Sequence, residues 1–325
     1  MAKEGKTKVK APKQKFNMTY LKRYWQLYLL LLLPMVYLLI FKYVPMRYII
    51  IAFKDYKLNV KLLDMPWAST KVGGETVTDI FKYFKQAFGN NDFRRAVANT
   101  LKLNLLDLVC GFPAPIIFAL ILNELCFKRF KKVVQTIAYM PHFLSWIIIS
   151  TLVLRVFGPT DGMINMILAK MGKETIPFID DSAHWVRTYV TAGVWQSFGW
   201  GSIIYLAAIA GINTELYEAA SVDGAGRFRK MWHITLPGIK PTIVVLLIMN
   251  LGGIMGGGFE RPFAMKNNLV MDVAEVIATF VYKVGIQQLK FSFTTAVGLF
   301  QSVVGLFFLL TANWLSRRLG ERGIW

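Results

Sequence analysis

TELYEAASVDGAGRFRKMWHITLPGIKP, residues 214–241, is polar and charged but lies within an apolar chain. The stretch reads as two short helices. Thr214 or Asn213 is placed to cap the first, and Glu215 and Glu218 follow near its N-terminus, where the helix dipole favours anions. Gly224 and Gly226 interrupt the run, because glycine accepts the positive φ of a tight turn. Phe228, Met231, Trp232 and Thr235 then recur at helical spacing. Leu236–Pro237 is expected to end the second helix, since proline disfavours helix in the residue before it. A polar helical hairpin between apolar segments is suited to docking with another molecule.

The chain around it is 325 residues long, 55% hydrophobic and only 18% charged. Its mean hydropathy is +0.43. Long apolar runs with this composition indicate a polytopic membrane protein. The net charge of +19 is explained by basic cytoplasmic loops rather than by nucleic-acid binding. Cys110 and Cys126 fall in or beside one span, and His142, His184 and His233 are scattered, so neither a disulfide framework nor a metal site is expected. A basic tail, residues 1–24, precedes an apolar run at 27–41 with no small-residue cleavage site after it. That is read as an uncleaved first span, with the tail lying near anionic lipid.

Six spans can be drawn, at about 25–41, 97–123, 134–157, 187–211, 239–258 and 292–315, each near bilayer length. They give an all-α integral membrane domain over 25–315, followed by a short tail at 316–325. Pro113 and Pro115 should kink the second span. With the N-terminus inside, the cytoplasmic pieces carry eight Lys/Arg in the tail, Lys128, Arg129, Lys131 and Lys132, then Arg227, Arg229 and Lys230, then Arg317, Arg318 and Arg322. The long loops 158–186 and 259–291 carry only six Lys/Arg against seven acids. The loop 42–96 is basic as well, but long loops weigh less. Both termini are therefore placed inside, and the hairpin faces the cytoplasm as part of the loop 212–238.

Inside the spans, Lys102, Asp107 and Arg155 are costly and should face the bundle interior. Lys102 and Asp107 are spaced to pair. One acid well inside a span gives weak grounds for a proton relay. Gln196, Asn250, Gln301 and Asn313 serve either as interhelical hydrogen-bonding groups or as the lining of a polar pathway. Trp195, Phe198 and Trp200 flank Gln196, and aromatic faces beside amides suit sugar rings. The glycine run from Gly252 to Gly258, followed by Glu260 and Arg261, reads as a gate lip or as a flexible exit from the span.

No P-loop, GxSxG, HExxH or CxxC motif occurs, so neither ATP binding nor a familiar hydrolytic chemistry is expected of this chain. No catalytic residue is assigned.

Glu218-Ala219-Ala220, three residues ending in Asp223, Gly224, nine residues, then Ile234-x-Leu236-Pro237 resembles the EAA motif of binding-protein-dependent ABC importer permeases. FKYVPMRYIIIAFKDY (41–56), GFPAPIIFALILNEL (111–125), KRFKKVVQTIAYMPHFLSW (128–146), GWGSIIYLAAIAGI (199–212), TAVGLFQSVVGL (295–306) and the terminal GERGIW are similar to the carbohydrate branch. Within it, the resemblance is greatest to permeases of complex-polysaccharide and oligosaccharide systems, common in Gram-positive bacteria. The resemblance implies a six-span core in the plasma membrane and a second, homologous permease chain. It also implies two cytoplasmic ATPase subunits that hold the ATP and Mg²⁺, and an extracellular solute-binding lipoprotein that delivers oligosaccharide. On that reading Glu218, Ala219, Ala220, Asp223, Gly224, Ile234, Leu236 and Pro237 form the coupling element. Trp195, Gln196, Trp200, Asn250, Glu260 and Gln301 are candidates for the substrate path. An ion-coupled secondary transporter or channel subunit is the alternative.

Overall fold

The computed structural model describes residues 22–318, 320, 323 and 324. The basic tail up to residue 21, and Arg322, lie outside the described residues. The chain divides into two compact units at Ile50 and Ile51. The first contains α1, Trp25–Leu38, which runs on through a π-helical turn, Leu39–Tyr43. With the turns that follow it forms one apolar helix over Trp25–Phe53, long enough to cross a bilayer.

The second unit begins with a small polar segment that precedes the helical core. A two-stranded antiparallel hairpin, β1 (Ser69–Val72) and β2 (Glu75–Thr78), places Ser69 opposite Thr78. This hairpin is a local exception within a mostly helical chain, and it forms because STKVGGETVT alternates β-formers and polar residues around a Gly-Gly turn. Asp55 organises this segment. Its carboxylate accepts hydrogen bonds from Lys82 Nζ at 2.8 Å, from the Tyr83 hydroxyl at 2.5 Å and from the Ser69 amide at 3.3 Å. Lys82 and Tyr83 open the helix α2, Lys82–Gly89.

The membrane core follows. Helix α3, Asn91–Gly111, is capped by Asn90, whose side chain accepts from the amides of Asp92 and Phe93. Phe112 separates it from α4, Pro113–Glu124, the interruption that proline dictates. Helix α5, Lys128–Tyr139, and helix α6, Trp146–Phe157, come next. The expected third span is not one straight helix. The segments Lys128–Phe143 and Trp146–Phe157 are bent by 105°, because Leu144 and Ser145 are extended and Ser145 caps α6. Helix α7 spans Met163–Lys170.

Helix α8, Ser182–Ala210, is capped by Asp181 and lies at the centre, packed against α3, α4 and α5. Its 29 residues suffice to cross a bilayer. Four other described helices are long and apolar enough for that, and a fifth crossing is reached if the bent pair counts as one span. α8 is not among them because Gly193, Gln196, Ser197, Gly199, Gly201 and Ser202 lower its hydropathy. Gly199 lies so close to the Ala138 carbonyl that a Cβ would overlap it, and small residues allow such close approach.

Helix α9, Thr214–Val222, precedes α10, Arg227–Lys230. A π-helical turn, Met231–Thr235, joins α10 to α11, Leu236–Gly252, giving one continuous helix over Arg227–Gly252. Leu236–Pro237 therefore does not end the second helix of the hairpin. Pro237 has no N–H to donate, and the widened turn, with the Leu236 N–H bonded to the Met231 carbonyl five residues back, accommodates the missing bond. After Gly252 come tight turns, then α12 (Glu260–Met265), α13 (Met271–Ala274) and α14 (Ile277–Val281). Helix α15, Phe291–Arg318, completes the core and packs along α11.

Three apolar clusters hold the unit together. One surrounds Trp185 and Ile149, one surrounds Phe93, Phe280 and Val297, and one surrounds Leu120, Tyr205 and Ile239. Lipid is as apolar as leucine, so packing and interhelical hydrogen bonds do the specifying. One face of α3 supplies several such bonds. Asn99 donates to the carbonyls of Asp272 and Glu275, Thr100 accepts from the Ile277 amide, and Asn104 donates to the Ile254 carbonyl at 2.6 Å. Together they hang the whole 254–277 excursion on α3.

Candidate functional site

Two places carry candidate residues: the 212–238 loop and a central cavity. In the loop, Asn213 rather than Thr214 caps α9, its side chain accepting from the Glu215 amide at 3.0 Å. The helix ends at Gly224, whose φ of +73° is accessible to glycine at little cost. The Ala225 amide reaches back to the Ala220 carbonyl at 2.8 Å, the six-to-one closure of a glycine-terminated helix. Gly224 thus reverses the chain between α9 and α10.

The hairpin is clamped shut. Tyr217 and Thr235 share a hydrogen bond of 2.9 Å between their hydroxyls, and Thr235 is fully buried. Lys230 Nζ donates to the Ser221 hydroxyl at 2.6 Å. Leu236 packs into the cluster of Leu120, Tyr205 and Ile239, and Ile234 is half-buried. Ile234 and Leu236 therefore anchor the loop to the bundle, while Pro237, Glu218, Ala219, Asp223 and Gly224 are exposed and Ala220 is half-buried. The outer face also presents Leu216, Val222, Phe228 and Trp232, with Val222 89% and Phe228 83% exposed. The sequence pattern did not single out Leu216 and Val222. Their signal was an apolar residue in a polar loop with no helical partner to bury it.

The central cavity, about 640 Å³, lies between α3, α4, α8 and α11 and is walled by Asn104, Asp107, Tyr205, Asn250 and Arg261 among others. A second cavity of about 600 Å³ is lined by Trp146, Tyr189, Phe259 and Glu260 and shares Asn104, Asp107 and Arg261 with the first. Arg261 enters from α12. Its Nη1 donates to Asp107 Oδ2 at 2.7 Å and its Nη2 to Oδ1 at 3.2 Å. Nη2 also donates to the Tyr189 carbonyl. The guanidinium lies 3.6 Å from the Tyr189 ring centroid and 5.3 Å from that of Trp146.

The expected pairing of Lys102 with Asp107 is replaced by this one. Lys102 and Asp107 are five residues apart on α3, about 500° of rotation, so they point to different sides. Arg261, 154 residues away in sequence, reaches Asp107 because the glycine run folds α12 back onto α6.

A family model described as "Binding-protein-dependent transport system inner membrane component" matches residues 111–321. The chain belongs to this family of transport permeases. Protein LplB of Bacillus subtilis (strain 168) is 45% identical over 94% of this permease and 93% of its own length. From the same organism, the polygalacturonan/rhamnogalacturonan transport system permease protein YteP is 42% identical over 92% of this chain and 90% of its own. A chain from the crystal structure of a bacterial alginate ABC transporter, in complex with an alginate pentasaccharide-bound periplasmic protein, superposes with a TM-score of 0.82 at 38% identity. That match covers 94% of this chain and 99% of the other. The permease family is one of transporters, not enzymes.

The candidates for the path in this permease do not converge on one cavity. Asn250 lines the first and Glu260 the second. Asn250 Nδ2 donates to the Leu246 carbonyl on its own helix at 2.8 Å. Gln301 borders a separate cavity beside Gly252 and Gly305, and its amide donates to the Met255 carbonyl. Gln196 donates to the His142 carbonyl at 3.4 Å, and Trp200 stacks on the His142 ring with centroids 4.7 Å apart. Gln196 and Trp200 thus stabilise the bend between α5 and α6, while Trp195 is exposed. Among the described residues no cluster of His, Cys, Asp and Glu could hold a metal ion.

Proposed function

We propose that the chain is the membrane-spanning permease of an ATP-driven importer that passes oligosaccharides or polysaccharide fragments. The substrate would be delivered by an extracellular solute-binding protein, as the periplasmic protein sits on the alginate transporter. The observation that carries this reading is the 214–235 hairpin. A rigid, glycine-turned and internally clamped lever with an exposed apolar face needs a partner, and a chain without a P-loop must receive work through such a contact. ATP and Mg²⁺ belong on two cytoplasmic ATPase subunits, and this chain holds no cofactor of its own. The ATPase-contacting group is Glu218, Ala219, Ala220, Asp223 and Gly224, extended by Val222 and Phe228, with Ile234, Leu236 and Pro237 transmitting the motion into α11.

A second, homologous permease chain completes the pathway. The path on this side runs past Asn250, Asp107, Arg261 and Glu260. Gln196, Trp195, Trp200 and Gln301 act beside it. The loop charges support a six-span arrangement with both termini inside, and the Bacillus relatives support the plasma membrane of a Gram-positive cell. Ion-coupled transport is disfavoured because Asp107 is already held by Arg261. Affinity purification of the tagged chain from its own cell tests the proposal. An ATPase and a second permease should co-purify, and vesicles should need ATP and binding protein for uptake. Uptake by this chain alone, driven by an ion gradient, would refute it.

A further inference from the structure

The Asp107–Arg261 pair stands in the wall shared by two cavities, and both its residues line both cavities. A merely structural ion pair has no need of that position. The guanidinium is built in from several sides. Gly193 of α8 lies against it so closely that a Cβ there would overlap the guanidinium, and the aromatic faces of Tyr189 and Trp146 flank it. Its Nε–H is buried and has no hydrogen-bond partner, so its donors outnumber the acceptors around it. A guanidinium presents a planar fork that matches a carboxylate, and an arginine stays charged at any physiological pH. Left alone in this setting it would be a buried charge without a counterion, which is strongly unfavourable. Asp107 supplies that counterion.

We infer that Arg261 reads the carboxylate of an acidic, uronate-containing oligosaccharide as it moves between the two cavities, and that Asp107 occupies the same fork when no saccharide is present. The inference rests on the oligosaccharide-permease reading above and adds the substrate's charge. A sugar carboxylate exchanges for the Asp107 carboxylate without leaving the arginine unpaired, so the exchange avoids the desolvation that a neutral sugar would impose. The Trp146 face offers an apolar surface to a sugar ring, and Asn104, present in both cavities, offers an amide to its hydroxyls. A neutral saccharide gains nothing from the fork and meets a closed pair.

The test uses the purified whole importer, without binding protein, and measures equilibrium binding of labelled trigalacturonate and of neutral maltotriose. Asp107→Asn keeps the volume of the side chain and removes the competing charge. It should bind trigalacturonate at least threefold more tightly than wild type, with maltotriose unchanged. Arg261→Lys should retain part of the trigalacturonate binding and Arg261→Gln should lose it, with assembly of each variant read from co-purifying ATPase. Trigalacturonate binding that is no tighter in Asp107→Asn overturns the inference. So does an equal change for both probes, or no binding of trigalacturonate to wild type at millimolar concentration. Failure of the wild-type importer to take up any saccharide would instead refute the permease reading on which this rests.

Discussion

Tyr217 on α9 and Thr235, the last residue of the π-helical turn before α11, are joined by a hydrogen bond between hydroxyls, and Thr235 has no exposed surface. The bond ties the outer helix of the hairpin to the span it must move. In Tyr217→Phe the Thr235 hydroxyl is left buried without this partner, at about 1–3 kcal/mol. In the double variant Tyr217→Phe/Thr235→Val both groups become apolar, and the loss should fall to within about 1 kcal/mol of wild type. Thermal unfolding of the purified importer measures both, and the double variant should be the more stable of the two.

Val222 is the most exposed large apolar side chain on the hairpin, at 89%. Val222→Asp should leave the permease inserted, since the site faces outward. It should weaken ATPase association about tenfold or more, the effect of roughly 1.4 kcal/mol, because a charge is desolvated in an apolar contact. Subunit ratios after purification at increasing salt check this.

Gly193 packs on the Arg261 guanidinium. Gly193→Ala must displace it and so opens the Asp107 pair. The pair is partly buried, so the loss should stay below the roughly 3–5 kcal/mol of a fully buried pair that loses one partner, and it would appear as a lower melting temperature and reduced uptake, while Gly224 and the hairpin remain unaffected. Gly111→Ala, where a Cβ meets only the Val194 methyl at 3.8 Å, is the matching control and should be near neutral.

Asp55 gives the segment 54–83 a pH dependence. Burial alone would raise its carboxyl, but hydrogen bonds from Lys82 and Tyr83, the Lys82 charge and the Ser69 amide outweigh it and hold the carboxyl below the usual carboxylate range. A depressed folded value means stability that is present above the unfolded value, about 3.9, and lost as pH falls through the folded one. Hydrogen exchange at the Ala68 and Asp79 amides, corrected for intrinsic rates, should be constant from pH 8 to 5 and accelerate below about pH 4. Asp55→Asn should remove that acid step.

The sequence made the membrane class, the hairpin and its turn legible because these depend on local signals: apolar runs, a cap and a glycine. It made Ile234-x-Leu236-Pro237 legible as a motif but wrongly placed a helix end there. A proline reads as a stop, and only the π-helical turn before it shows how the helix continues. The Asp107–Arg261 pair was out of reach because its partners are 154 residues apart and nothing local sets which cation meets the acid. The sequence reading did not single out Asn99, Thr100 and Asn104 on α3, because their partners are backbone groups of 254–277, which carry no side-chain signature. The bend between α5 and α6 was hidden for a similar reason: the stacking of His142 on Trp200 that stabilises it is a tertiary contact.

Binding-protein-stimulated ATP hydrolysis and uptake, measured together in the reconstituted importer for wild type and Gly224→Val, test the coupling role of the hairpin most directly. Valine in a backbone with φ of +73° is strained by roughly 1–2 kcal/mol and cannot keep the turn. Insertion and subunit assembly should persist, while stimulated hydrolysis and uptake should both fall at least about tenfold, the equivalent of 1.4 kcal/mol in coupling. Unchanged stimulation and unchanged uptake in the assembled variant would contradict it.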